Sequence, residues 1–300
     1  MSSFSIVVDS NCDLPAEYIE DHGIDIIPMP FELDSVAHNE GYWQEISCKE
    51  FYSALRKGSV ATTSQINPLT FIAVFTQYAR EGRDALFLIL SSGLSSTFNN
   101  AMFALQEVKE IYPDCGIYLI DTICATVGHG YLAMQAVKKR DEGLSVAETA
   151  AYLEEIKHKC IGMIIVNDLM YLHRGGRLSK LSAIAGSALG IKPIVAIRPD
   201  GTLSLKEKVR GKKPAMEMFV KRLQQCTNDK EVVDTVMISH TDCIDDAQFL
   251  TDMIKTSVNV REVVCVFVGP VIGAHIGPGS IVMLFEANMT RDEYESRFYK

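Results

Sequence analysis

The strongest constraint on this chain is a rhythm. Short runs rich in Val, Ile and Leu alternate with longer stretches of helical period. "FSIVV" (4–8), "IDIIPM" (24–29), "ALFLIL" (85–90) and "GIYLID" (116–121) read as strands. Most show no polar face, so both faces need cover. "TFNNAMFALQEVKEIY" (97–112) sets Phe98, Met102, Leu105, Val108 and Tyr112 along one side of a helix. "YLAMQAVKKRDEG" (131–143) and "SVAETAAYLEEIKHK" (145–159) read as two more helices. Gly143 ends the first, and Ser145 with Glu148 has the spacing of a capping box for the second. Apolar strands separated by helices form parallel βαβ units, so the expected class is α/β with a mainly parallel N-terminal sheet.

The second half repeats the style with more variety. "IGMIIVND" (161–168), "VVDTVMISH" (232–240), "VREVVCVFV" (260–268) and "SIVMLFEA" (280–287) read as strands. "KPIVAIRPDGTLSLKEKVR" (192–210) reads as two strands joined at Pro199-Asp200-Gly201, a strong turn signal. Helices are expected near 213–226 and 243–257. At 300 residues and 47% hydrophobic, the chain can bury two cores. The expected domains are 1–160 and 161–300, with an approximate boundary and room for some chain exchange between them.

Composition excludes several classes. A net charge of -9 argues against nonspecific nucleic-acid binding, which needs a positive surface. No apolar run reaches membrane-spanning length. "MSSFSIVVDS" enters a strand at once, without a charged n-region, so the expectation is a cytoplasmic protein with no targeting signal. The eight cysteines form no CxxC pair, and several sit in apolar runs. Buried reduced thiols are expected, rather than a zinc site or a disulfide framework.

Each apolar strand ends in a small polar cluster: "DSNCD", "SSGLSST", "DT", "SHTD" and "GPVIGAHIGPG". Ligands of open parallel sheets sit beyond the carboxyl ends of strands, so clusters distant in sequence can converge on one cleft. In "SSGLSST", Gly93 permits a tight turn, and Ser95, Ser96 or Thr97 can cap the following helix. Ser91 and Ser92 are expected to shape the turn, with Ser96 or Thr97 as the cap. The same hydroxyls, with free N–H groups, can form an anion site for a phosphate or a carboxylate. In "ATTSQIN", Thr63, Ser64 or Asn67 can cap a helix that begins at Pro68, or one hydroxyl can face the same anion. In "GPVIGAHIGPG", close-packed glycines hold His275 at one point of the cleft, as a hydrogen-bond donor or a base. Asp9 is expected to orient groups at its strand end. Asp9, Asp13 and Asp121 lack metal-ligand spacing, and no metal is expected. Arg174 and Arg177 bracket two glycines before an amphipathic stretch, and Arg210 lies in a second basic run, "KEKVRGKK". These are solvated charges or a docking surface.

Six segments occur in order: "DSNCDLP", "TTSQ", "SSGLSSTFNNA", "YLHRGGRLS", "GIKPIVAIRPDG" with "KVRGKKPAM", and "GPVIGAHIGPG". Together, over about residues 4 to 286, they resemble the bacterial DegV family of fatty-acid-binding proteins that serve a fatty acid kinase. The resemblance implies two α/β domains with a long-chain, palmitate- or oleate-like fatty acid in the cleft between them and no other cofactor. It implies a carrier without its own catalytic residues. The carrier presents the acid to a separate ATP-dependent fatty acid kinase, giving an acyl phosphate for phospholipid synthesis, with at most a transient membrane contact. Its carboxylate-binding residues map to Thr63, Ser95 and His275, with Ser64, Ser96, Gly93 and Asp9 in support. Its kinase-facing residues map to Arg174, Arg177 and Arg210. The chain departs from the family pattern at Ser96, where Gly is usual, and at Ile276, where Thr is usual. Two rival readings use the same residues. One is a serine hydrolase with Ser95 as nucleophile, His275 as base and Asp9 or Asp121 as orienting acid. The other is a phosphate or nucleotide site at the Ser95 helix end. The first lacks the G-x-S-x-G elbow, and the second lacks a P-loop.

Overall fold

The computed structural model describes residues 4–39, 45–179 and 190–299. The amphipathic stretch expected after Arg177 lies largely outside the described residues. Thirteen strands are described: β1 (Ser5–Asp9), β2 (Ile24–Ile27), β3 (Pro30–Leu33), β4 (Val36–Asn39), β5 (Ala61–Thr63), β6 (Ala85–Ile89), β7 (Ile117–Asp121), β8 (Cys160–Ile165), β9 (Ile191–Ile197), β10 (Leu203–Arg210), β11 (Val233–His240), β12 (Val260–Phe267) and β13 (Ile281–Glu286). The fold is mixed α/β in two domains. Its first sheet has the order β2-β1-β6-β7 and is parallel throughout.

All five residues of β6 are buried. Their period of two divides them between two cores. Phe87 and Ile89 pack with Phe71, Phe75, Ala101 and Val108 from the helices Pro68–Glu81 and Thr97–Ile111. Leu86 and Leu88 face the other way, toward Val127, Leu132 and Leu153 of the helices Val127–Asp141 and Val146–Ile156. The capping box of Ser145 and Glu148 forms as its spacing predicts. The buried side of Thr97–Ile111 is rotated from the expected one. Ala101 and Ala104 are fully covered, whereas Met102 and Phe103 are each 53% exposed. Two alanines let the helix lie close to its neighbours, which a stripe of larger side chains would prevent.

The second sheet, β10-β9-β8-β13-β11-β12, departs from the parallel pattern. Only β11 and β12 run parallel, and every other pair is antiparallel. The β9–β10 hairpin turns at Pro199-Asp200-Gly201 as expected, and so short a link forces antiparallel pairing. Ile161, Met163, Ile165, Met283 and Phe285 face a third core beneath the helices Lys212–Cys226 and Ile244–Ser257. Ile164, Val282 and Leu284 face the core that Leu86 and Leu88 also enter. The two sheets therefore share one core, with the helices Val127–Asp141 and Val146–Ile156 within it.

Among the elements not anticipated from the pattern, two bear on the site. One is a small antiparallel sheet, β4-β3-β5. The other is the helix Cys48–Arg56, whose Ser47–Glu50 capping box is visible in "SCKE". The segment 270–276 is a helix begun by Pro270 rather than an irregular loop, and its Val271 and Ala274 pack into the core of the first half.

Candidate functional site

A cavity of about 730 Å³ opens where the polar strand-end clusters meet the shared core. Three elements bring its polar groups together. Thr63 ends β5, held by antiparallel pairing to Phe31 of β3. Ser95 lies in the turn between β6 and the helix Thr97–Ile111. His275 lies in the last turn of the helix Pro270–Ile276. That helix is fixed to the first half: the Gly269 N–H donates to Asp13 Oδ1 at 2.9 Å, and the Tyr52 hydroxyl donates to the Val268 carbonyl at 2.6 Å. The Asn100 side chain donates to the Ile66 carbonyl at 2.8 Å and so ties the Thr63 segment to the Ser95 helix.

Thr63 Oγ1 and His275 Nε2 are 2.9 Å apart. The other ring nitrogen, Nδ1, is buried without a partner. It lies so close to Gly175 that a Cβ there would sit 2.0 Å from it, so only glycine fits. Burial, and then the neighbouring Arg177 charge, push the His275 imidazole down to about 4. The ring is neutral at neutral pH.

Ser95 corrects an expectation. Ser96 stands at the helix N-cap without a side-chain cap, and the first helical N–H is met by Ser95 instead. Its Oγ accepts from the Thr97 N–H at 3.2 Å and shares a 2.9 Å hydrogen bond with Thr97 Oγ1. Ser96 makes no capping hydrogen bond. Its φ of -76° is ordinary for any residue, so the departure from glycine there leaves the turn unstrained. Ser91 and Ser92 shape the turn as expected. Ser91 Oγ accepts from the Gly93 N–H and donates to the Gly201 carbonyl, and the Ser92 N–H donates to Asp121 Oδ1. A Cβ on Gly93 would meet backbone atoms of Asp200, Gly201 and Thr202 at 2.8 Å. Glycine there allows the β6 loop to seat against the β9–β10 hairpin.

Ser64, Ser96 and Gly93 also line the cavity; Asp9 does not. Asp9 is fully buried behind it, accepting from the Leu90 and Asn11 N–H groups, which is the orienting role expected of it. Asn67, among the alternatives in "TTSQIN", caps the helix Pro68–Glu81. Arg177 departs from an outward placement. Its Nε donates to the Leu94 carbonyl at 2.9 Å, and it is the only charged side chain lining the cavity among the described residues. Arg174 is exposed, stacks on Tyr171, and lines a smaller pocket of about 270 Å³. Thr63, Arg177 and His275 form a wall common to both pockets. Arg210 is exposed at the end of β10 and lines neither.

Beside Gln65 and Ser92, most of the rest of the large cavity is apolar. Ile164, Ile197, Leu203 and Val282 come from the second sheet, and Leu172, Val271, Ile272 and Ile276 from flanking helices. Ile276 thus lends its side chain to an apolar wall. Thr126 is a polar exception that sequence reasoning missed. Its φ of 48° is unusual for a β-branched residue, and its hydroxyl is 2.8 Å from Ser239 Oγ.

The serine-hydrolase reading fails on this geometry. His275 pairs with Thr63 rather than Ser95, and its Nδ1 meets no acid. Asp9 and Asp121 are committed to backbone N–H groups. A triad needs a base on the nucleophile and an acid on the base.

Comparison with known proteins gives concordant results. A family model described as "Uncharacterised protein, DegV family" matches residues 3–288. A DegV domain-containing protein of Clostridium perfringens is 34% identical over 286 residues, covering 95% of this chain and 98% of its own. Among solved structures, a fatty-acid-binding DegV family protein of Thermus thermophilus superposes with a TM-score of 0.85 at 27% identity, covering 95% of this chain and 99% of its own. A stearic acid-binding protein of Eubacterium ventriosum gives a TM-score of 0.83 at 26% identity, covering 95% and 98%.

Proposed function

The chain belongs to the DegV family, and on that premise we propose that it binds a long-chain fatty acid in the 730 Å³ cavity and carries it without catalysing a reaction on it. The supporting observation is the one-sided polarity of that cavity. Hydroxyls, the Gln65 amide, a neutral imidazole and one guanidinium gather toward one wall, and aliphatic side chains, with Thr126 among them, line most of the rest. An amphiphile with a single small anionic head matches this distribution. The volume lies within the range of about 300–1,000 Å³ usual for small-molecule sites.

In this reading Thr63 and Ser95 donate to the carboxylate. His275 carries its proton on Nε2 and donates that hydrogen bond to Thr63 Oγ1, which leaves the Thr63 hydroxyl hydrogen free for the ligand. The unpartnered Nδ1 is then a bare lone pair, which costs less than a buried unpaired N–H. A buried carboxylate needs such donors, because unpaired it is very costly. The tail contributes about 0.8 kcal/mol per buried methylene. Titrations with saturated acids of increasing length should therefore show affinity rising roughly fourfold per methylene until the apolar chamber is full, then levelling. Affinity independent of chain length would contradict the reading.

The finer part of the proposal is the partner. The family resemblance supports presentation of the acid to a separate ATP-dependent fatty acid kinase in the cytoplasm, feeding phospholipid synthesis, with Arg174 and Arg210 on the encounter surface. Arg177, beside His275, serves the head group and that encounter together. Arg210→Ala should leave fatty acid affinity unchanged and slow kinase-dependent phosphorylation of the bound acid. Loss of lipid binding in that variant would remove Arg210 from the partner surface.

A further inference from the structure

The smaller pocket, of about 270 Å³, has an unbalanced charge. Arg174 and Arg177 line it, and no carboxylate does. Local chain geometry brings the two cations together. The helix Met170–Arg174 ends at Gly175, and Gly176 takes a left-handed φ of 74°, so the chain folds back between them. The Arg174 guanidinium stacks 4.5 Å from the centre of the Tyr171 ring. Arg177 donates Nε to the Leu94 carbonyl and Nη1 to the Gly175 carbonyl. Among the described residues neither guanidinium makes an ion pair with a carboxylate. Asp34, at the rim, accepts from the Val60 N–H at 2.9 Å and does not line the pocket. Burial lowers the Arg177 guanidinium from its ordinary value, and no carboxylate acts against that. A cation withdrawn from water without an anion is costly, and this chain places two at one concave surface.

We propose that this pocket is a second anion site, separate from the carboxylate site, and that it takes a phosphoryl group. A phosphate dianion balances both guanidiniums, whereas a carboxylate balances one. The planar N–H forks of arginine match phosphate oxygens. Among the described residues no acceptor meets the Arg174 N–H groups or Arg177 Nη2, so both forks have donors to offer. The volume falls below the range of about 300–1,000 Å³ usual for drug-sized ligands, which suits a small group rather than a second acyl chain. Thr63, Arg177 and His275 line both pockets, so the phosphoryl site adjoins the position proposed for the carboxylate. The phosphoryl group therefore has two sources: free inorganic phosphate, or a group carried on the head of the acyl chain. Only the second source rests on the fatty-acid reading.

Calorimetric titration of the full-length protein with inorganic phosphate, at an ionic strength held constant with sodium chloride, tests the site without any lipid. The expected result is saturable binding that Arg174→Met weakens by at least roughly tenfold, the lower end of the change for a lost hydrogen bond to a charged group. Arg174 is exposed, so that variant should melt with the parent. Arg210→Met lies outside both pockets and should bind phosphate as the parent does. The second arm uses a long-chain 2-oxoalkylphosphonate, in which a methylene replaces the bridging oxygen of an acyl phosphate. Tighter binding of this compound than of the matching acid, with the gain lost in Arg174→Met and the acid's own affinity kept, assigns the phosphoryl group to the acyl chain. Phosphate binding without that gain assigns the site to free phosphate. Phosphate binding by a protein that takes up no palmitate would remove the fatty-acid reading and leave this site standing. Neither phosphate binding nor a gain from the phosphonate would overturn the proposal. So would phosphate binding that Arg174→Met leaves unchanged, or that Arg210→Met weakens equally, since the attraction would then be diffuse charge.

Discussion

Removing both hydroxyls at the cavity head, Thr63→Val with Ser95→Ala, should weaken binding of palmitate or oleate by roughly 100-fold or more. A hydrogen bond to a charged group is worth about 1.5–3 kcal/mol, which is roughly a 10- to 150-fold change for each one lost. The two losses fall on one carboxylate, so their sum need not be additive. Each single variant carries a structural cost as well. Ser95→Ala also removes the hydrogen bond from the Thr97 N–H, which is worth about 0.5–1.5 kcal/mol of stability. Thr63→Val removes no cap but takes from His275 Nε2 its 2.9 Å partner, so it should lower the melting of the empty protein as well as weaken binding. Ser96→Ala is the control, since Ser96 makes no capping bond. Isothermal titration of all four variants against one acid checks this. If Ser96→Ala matched Ser95→Ala in affinity loss, the assignment of Ser95 would be wrong.

The second large effect concerns Asp13. Its carboxyl is buried, with Oδ1 accepting from the Gly269 N–H and Oδ2 without a partner. Burial, opposed by the nearby Thr126 hydroxyl and the Gly269 N–H and reinforced by the Asp9 charge, raises it from 3.8 to about 7. Because the folded value lies above the unfolded one, the unfolded chain ionises first as pH rises. Stability from Asp13 is therefore complete below pH 4 and lost progressively as pH rises to about 7. The full gap is worth about 4 kcal/mol, and relaxation around the group reduces it. Asparagine cannot ionise, accepts the Gly269 N–H equally well, and tolerates the left-handed φ of 48° at this position. Asp13→Asn should therefore be more stable than the parent by about 1–3 kcal/mol at pH 8, with the difference vanishing near pH 4.

His275 acts with the opposite sign. Its folded value, about 4, lies below the ordinary 6.5, so the unfolded state takes up the proton first as pH falls between them. In the parent protein the two groups offset one another across that window. Asp13→Asn leaves His275 unopposed and should lose stability more steeply on acidification. Denaturant unfolding at intervals from pH 4 to pH 8 reads both effects. A variant less stable than the parent at pH 8 would contradict the account of Asp13.

Much of this was legible in the sequence because burial on two faces leaves a simple mark. "ALFLIL" has no polar face, and β6 sends alternate side chains into two separate cores. The turn at Pro199-Asp200-Gly201 and the box at Ser145–Glu148 are local chemistry, decided within a few residues. Strand direction in the second sheet was not legible, since it depends on which strands pair, and β13 inserts between β8 and β11 from the far end of the chain. The convergence of Thr63, Ser95 and His275 came from order and family likeness, not from spacing. Thr63 and His275 are 2.9 Å apart across more than two hundred residues, and no periodicity encodes that. The cavity-lining position of Arg177 was not legible for a related reason. A basic residue after two glycines looks solvated, and only tertiary contact with the Leu94 carbonyl turns it toward the cavity. Arg291, inside an exposed-looking "TRDEYE", gave no sign of its burial.

The central claim is that the cavity holds a long acyl chain by its carboxylate. Native mass spectrometry of gently purified protein tests it most directly. The account predicts a bound species that denaturation releases as a long-chain fatty acid, and that added palmitate or oleate replaces. A protein that carries no lipid and takes up neither acid would contradict it.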